Sequence, residues 1–291
     1  MNPHIIAIYH ADCPDGTTAA ACLLARYPEA HLFPLTHAYT PGELKVITDR
    51  VTPETIAYTL DCVIGARELA EHAKELHIID HHESAEGETR AFAAEKPNVT
   101  FTFDNEHSGA SLAWSYFNPG IAVPEFVSLV EMDDLYKFAE GNRDRSRMIV
   151  VHLMTMLNHP ELVAQLLTSP IEPLLASGKI MLDYQESLVR NFVEQAVPLS
   201  VRVGEHVVPA YNVMSFGNFF DSDIKSAALK KHATPICAFT IAGDTVRLSF
   251  RSEEGMAPTA LDLASILGGG GHKHASGARM NREGFFKMVL D

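Results

Sequence analysis

His4-Ile-Ile-Ala-Ile-Tyr9, followed at once by His10-Ala-Asp12-Cys-Pro-Asp15-Gly16 and then by the stretch Thr17–Tyr27, decides how the chain is read. A short run of apolar, largely β-branched residues reads as a buried strand, and Thr17–Tyr27 reads as a helix. The polar residues between them fall where a strand hands over to a helix. Outward from this point the pattern recurs. His31–Thr36, Thr55–Leu60, Leu76–Ile79 and Val99–Phe103 read as strands, and Ala66–Glu75 and Ser108–Phe117 as helices. Strands alternating with helices predict βαβ units, hence a mostly parallel sheet flanked by helices.

From Pro124 to about Val197 the pattern is helical, with Leu174–Val193 long enough to serve as a linker helix that Pro198 ends. Strand-rich runs follow at Ser200–Val203, Ile236–Ile241 and Thr245–Phe250, with helices at Ile224–His232, Ala260–Leu267 and the C-terminus. Ala242-Gly243-Asp244 reads as a hairpin turn. The expectation is an α/β protein of two domains: residues 1–197, ending in the linker helix, and a smaller α/β domain over residues 198–291. A length of 291 residues suits two domains. No apolar run reaches the ~18 residues of a membrane span. Met1-Asn2-Pro3-His4 carries no basic leader, so a cytoplasmic protein is expected. Cys13, Cys22, Cys62 and Cys237 form no CxxC pair and read as small apolar fillers in a reduced compartment.

The net charge is −14 and is unevenly spread. Ser200 to Asp291 carries 10 basic and 9 acidic residues, so the acidity lies in the first two thirds. A long polyanion held by counterion release needs a basic surface, which this chain does not present. Clustered carboxylates suit divalent cations instead.

In an open parallel sheet, ligands bind outside the carboxyl ends of the strands. Four strands here end in metal-binding or proton-moving groups: His10-x-Asp12-x-x-Asp15, then Asp61, then Asp80-His81-His82, then Asp104. Any one of these could be a cap or turn residue, as expected for Asp104. Four on one sheet edge point to a site. Carboxylates suit Mg²⁺ and Mn²⁺, and imidazoles shift the preference toward Mn²⁺ or Co²⁺. There are enough carboxylates for two ions sharing one Asp, an arrangement suited to phosphoryl displacement. Gly16 would let the backbone approach closely where the helix begins.

His10-x-Asp12-x-x-Asp15-Gly16, the strand-end Asp61 and Asp80-His81-His82 resemble the DHH phosphoesterase superfamily. Asp104 through Trp114, and Met132-Asp133-Asp134-Leu135, resemble its next two blocks. Phe250-Arg251-Ser252 with Gly268-Gly-Gly-Gly271-His272-Lys-His-Ala275-Ser276-Gly277 resembles the C-terminal domain associated with it. The resemblance covers nearly the whole chain. It implies that His10, Asp12, Asp15, Asp61, His81 and Asp133 bind metal, with Asp61 shared by two ions. Sequence does not separate Asp133 from its neighbour Asp134. His82, with Asp80, would act at the scissile phosphate. Arg251, Gly270, Gly271, His272 and Ser276 would bind the substrate, the glycine-rich backbone supplying an anion nest.

The implied activity is hydrolysis of a phosphodiester or phosphomonoester in a small nucleotide or short, single-stranded oligonucleotide. Two divalent cations are the expected cofactors, Mn²⁺ first. No membrane partner is expected, and a homodimer is compatible with the reading. Alternatives are an inorganic pyrophosphatase or polyphosphatase, and a non-catalytic metal- or phosphate-binding module.

Overall fold

In a computed structural model, which describes residues 4–213 and 220–290, the chain divides into two compact units, Met1–Leu182 and Asp183–Asp291. The division falls inside the long helix that was expected to end at Pro198.

The first unit begins with β1 (His4–His10), α1 (Pro14–Arg26), β2 (His31–Leu35), α2 (Pro41–Thr48), β3 (Thr55–Leu60), α3 (Ala66–His72), β4 (Glu75–Asp80), α4 (Glu83–Glu95) and β5 (Val99–Phe103). The five strands form one parallel sheet in the order β2-β1-β3-β4-β5. Side chains alternate across it. Ile5, Ala7, Tyr9, Tyr58, Leu60 and Ile79 pack into one core, and Ile6, Ile8, Ala57, Leu76 and Ile78 into the other. Both faces are covered, which is why these strands read as continuous apolar runs. The first core is filled by α1, α5 (Gly109–Phe117), α6 (Glu125–Asp134), α7 (Arg143–Leu153), α8 (Pro160–Ala164) and the start of α9 (Glu172–Gln195). The second is filled by α2, α3 and Phe92 of α4. Each fully buried Ile or Leu contributes about 1.5–3 kcal/mol of transfer free energy.

The expected strands and helices of this unit are all present. Two helices were not read from the sequence. Helix α2 carries its own signal, since Thr40 and Glu43 form a reciprocal capping box. Helix α4 is polar on most of its surface and begins immediately after His82, so no apolar period announces it.

The second unit contains the end of α9, β6 (Leu199–Val203), β7 (His206–Asn212), α10 (Asp221–His232), β8 (Ile236–Ala242), β9 (Thr245–Arg251), α11 (Ala260–Ile266), β10 (Gly270–His272), β11 (Ala275–Asn281), α12 (Arg282–Met288) and β12 (Val289–Leu290). Its sheet is mixed, in the order β10-β11-β9-β8-β7-β6-β12, with β7 and β8 the parallel pair. The glycine-rich string expected to supply an anion nest contains strand β10, paired antiparallel to β11 with Gly271 opposite Ser276. Among the described residues no helix is long and apolar enough to cross a membrane.

Candidate metal centre

The strand order fixes where a site can form. The chain leaves β1 for β2 on one side and returns to β3 on the other. The connections therefore diverge at the carboxyl ends of β1 and β3, the switch point where α/β folds place ligands. His10 ends β1 and Asp61 follows β3. Asp61 is buried, its N–H donates to Ile79 O at 2.9 Å, and its φ of 56° is left-handed. Aspartate is among the few residues that tolerate that conformation.

Asp61 joins two clusters. His10 Nδ1 lies 3.3 Å from Asp61 Oδ2, and His81 Nε2 lies 3.1 Å from Asp61 Oδ1. His81 Nε2 also lies 3.5 Å from Asp134 Oδ2. Two groups have ligand atoms within 4.8 Å of one another: His10, Asp61 and His82, and Asp15, His81 and Asp134. Asp15 enters from the first turn of α1. Its Oδ1 accepts the Ala110 N–H at 3.1 Å, from the N-terminal turn of α5. That turn carries Gly109 against both carboxylates. A Cβ there would lie 2.6 Å from Asp61 Cβ and 2.8 Å from both Asp15 Oδ2 and Asp61 Oδ1.

Three atoms facing this centre, Asp15 Oδ2, Asp61 Oδ1 and His81 Nε2, are buried without a hydrogen bond. The 3.1 Å approach of His81 to Asp61 is an electrostatic contact. Buried polar atoms are normally satisfied, and three orphans at one point mark a missing partner. The carboxylates agree. Burial and the charges of Asp61 and Asp134 push the Asp15 carboxyl well above the usual range. Burial and Asp61 push Asp134 up to about 6. Burial opposes ionisation of Asp61 too, but the imidazoles of His10 and His81 hold it below the usual range. Carboxylates this close repel unless cations sit among them. The donor set of carboxylates and imidazoles fits hard-to-borderline divalent ions.

His82 belongs to a different arrangement. Asp80 is buried, and its Oδ1 accepts from the backbone N–H of His81 at 2.9 Å and from His82 Nδ1–H at 2.7 Å. The hydrogen bond to Asp80, against the opposing effect of burial, raises the His82 imidazole to about 9. His82 Nδ1 is thereby committed, and Nε2 is the nitrogen left for other work.

The expected residues divide clearly. The structure brings together His10, Asp15, Asp61, His81 and His82. It does not bring Asp12 or Asp133 into either group. Asp12, at φ 57°, is tied to Asn158: its N–H donates to Asn158 Oδ1 at 3.0 Å, and Asn158 Nδ2 donates to Asp12 Oδ1 at 2.7 Å. Asp134 sits where Asp133 was expected. Helical phase does not separate the two, since Asp134 lies four residues beyond Val130 and Asp133 four beyond the equally buried Leu129. Asp104 caps locally, accepting the Glu106 N–H at 2.9 Å, while Ser108 caps α5. The Cys13 thiol is pushed up by burial and by Asp61 and Asp15, so it stays protonated, as a filler would.

In the second unit, Arg251 ends β9 opposite Ala275, and Gly271 pairs with Ser276, so the expected substrate-binding residues share one end of that sheet. Arg251 Nη2 donates to Ser222 Oγ at 3.4 Å, and its Nε is buried without a partner. Ser276 Oγ donates to His272 O at 2.6 Å.

The fold is similar to that of two solved structures, at low sequence identity. RecJ of Thermus thermophilus, solved in complex with Mn²⁺, is similar with a TM-score of 0.56 and 16% identity over 98% of this chain and 50% of that one. The pGpG-specific phosphodiesterase PggH of Vibrio cholerae is similar with a TM-score of 0.54 and 15% identity over 98% of this chain and 95% of that one. In sequence, the uncharacterized protein R106 of Acanthamoeba polyphaga mimivirus is 23% identical over 208 residues, 69% of this chain and 46% of that protein. The chain thus matches about half the length of that curated relative. No family model matches it.

Proposed function

We propose that the chain is a metal-dependent phosphoesterase that hydrolyses a phosphodiester or phosphomonoester of a small nucleotide or short oligonucleotide with two divalent cations. The observation that carries this reading is Asp61, buried between His10 and His81, with its Oδ1, Asp15 Oδ2 and His81 Nε2 buried without hydrogen-bond partners. His10 and Asp61 would hold one cation. Asp15, His81 and Asp134 would hold the second, with Asp61 shared. When bound, the cations supply a water of lowered pKa and neutralise charge on the phosphoryl oxygens. Mn²⁺ suits this mixture of imidazole and carboxylate, and the similar RecJ structure holds Mn²⁺.

The chain's own residues set up the rest. Asp80 locks the His82 ring by its Nδ1–H, so the Nε2–H of a protonated His82 can donate to a phosphoryl oxygen or protonate the leaving oxygen. The raised His82 pKa keeps that proton available near neutral pH. The N-terminal turn of α5 holds Asp15 through the Ala110 N–H. Asn158 keeps Asp12 and the β1–α1 turn in shape. Arg251, Gly270, Gly271, His272 and Ser276 would bind the substrate. The acidic first two thirds of the chain favour a short substrate over long DNA, and the similarity to a pGpG phosphodiesterase agrees.

The test is product release from a linear dinucleotide, a short RNA, a cyclic nucleotide and pyrophosphate with Mn²⁺, for wild type and His82→Ala. Turnover of a nucleotide substrate that falls at least about 100-fold in the variant supports the reading. Preferred turnover of pyrophosphate would transfer it to the pyrophosphatase class. Silence on every substrate would sink it.

A further inference from the structure

His37 is an imidazole outside both metal groups and beside them. Strands β1 and β2 run parallel with Leu35 opposite His10, and Ala11 N–H donates to Leu35 O at 3.0 Å. The residues that follow β2 are therefore held against those that follow β1. The next turn is closed by Tyr39 N–H donating to Thr36 O at 3.0 Å and by Ala38 N–H donating to Thr36 Oγ1 at 3.3 Å, with His37 inside the turn. Its ring centre lies 5.0 Å from that of His10 and 6.5 Å from that of His82. The His10 and His82 rings are 6.1 Å apart, so the three imidazoles form a triangle at the carboxyl edge of the sheet.

Two corners of the triangle are committed. His10 is bound to Asp61 and His82 to Asp80. His37 is not: among the described residues its ring has neither an ion-pair nor a hydrogen-bond partner, and it is exposed. Its ligand atoms fall in neither metal group. The carboxylates of this site are already matched to His10, His81 and His82 or placed for cations. A ligand that brings its own negative charge finds an uncommitted N–H donor there, and hydrogen bonds to charged acceptors are the strong ones. In a chain of net charge −14, an anionic substrate also needs donors close to the reacting centre.

Resting on the phosphoesterase reading above, we propose that His37 is a further substrate-binding residue that donates an imidazole N–H to a non-bridging oxygen of the substrate's phosphoryl group. It binds the phosphoryl group, not the cations.

The experiment is calorimetric titration of the full chain, first with Mn²⁺ and then, Mn²⁺-loaded, with inorganic phosphate, for wild type, His37→Ala and His37→Gln. His37→Ala is expected to bind Mn²⁺ as wild type does and to bind phosphate roughly 10-fold more weakly, the size of one hydrogen bond to a charged group. His37→Gln keeps a donor and should recover part of that loss. Wild-type phosphate affinity in His37→Ala would overturn the inference and leave the phosphoesterase reading standing. Loss of Mn²⁺ affinity in His37→Ala would also overturn it, by placing the residue on the metal side. A wild type that binds Mn²⁺ but no phosphate, and releases product from no substrate, would overturn both.

Discussion

Replacing Gly109 by alanine adds one methyl group at the most crowded point of the centre. The new Cβ would stand 2.6 Å from Asp61 Cβ and 2.8 Å from Asp15 Oδ2 and Asp61 Oδ1, where ordinary contact begins near 3.4 Å. Either the α5 N-terminus or the two carboxylates must therefore retreat by about 0.6–0.8 Å. Both carboxylates sit in a buried cluster, so overpacking should cost about 1–3 kcal/mol. Alanine's better helix propensity offsets at most about 1 kcal/mol of that. The effect on metal should be larger than the effect on folding, because ligand positions are held to about 0.2 Å. Mn²⁺ affinity is expected to fall roughly 10- to 100-fold, in the range seen when a ligand's support is removed. Thermal unfolding of the metal-free chain and Mn²⁺ calorimetry measure the two effects separately. A Gly109→Ala variant more stable than wild type, with unchanged Mn²⁺ affinity, would refute the placement of α5 against Asp15 and Asp61.

Other expectations follow from the same geometry. Asp15→Asn should stabilise the metal-free chain, since the raised pKa of Asp15 means that its charged form opposes folding at pH 7 and that stability rises as pH falls. The same variant should lose the extra thermal stability that Mn²⁺ gives wild type, which paired melting curves would show. Asp134→Asn should weaken Mn²⁺ binding at least about 10-fold while Asp133→Asn and Asp12→Ala leave it nearly unchanged, and the reverse ranking in calorimetry would return Asp133 and Asp12 to the ligand set. Because Asp134 titrates at about 6 without metal, protons should compete with Mn²⁺. Affinity should therefore drop as pH falls from about 7.5 to about 5.5, and binding near pH 6 should release protons, detectable as a dependence of the measured heat on the buffer.

The strands of the first sheet were legible because a strand buried on both faces writes itself as an unbroken apolar run. That His10, Asp15, Asp61, His81 and His82 gather at one sheet edge was legible because the rule about strand carboxyl ends is topological and needs no knowledge of side-chain direction. The same rule applied to β2 would have drawn attention to His37, two residues past Leu35. Asp134 was not separable from Asp133 by spacing alone. Phe126, Val127, Leu129 and Val130 of α6 are all buried and put both aspartates in phase with the core, and only the approach of His81 to Asp134 Oδ2 at 3.5 Å distinguishes them. The tie of Asp12 to Asn158, 146 residues away, was not legible, because only the fold brings the two together. The glycine-rich string gave no strand signal, since glycine has no side chain to alternate. Its pairing with β11 comes from the sheet, not from local preference.

The central claim is that Asp61 is shared by two cations, and Mn²⁺ stoichiometry by calorimetry tests it most directly. For metal-free wild type the account predicts two ions per chain, with a pronounced loss of affinity for both in Asp61→Asn. A wild type that binds one ion or none, or an Asp61→Asn variant that still binds two with wild-type affinity, would contradict it.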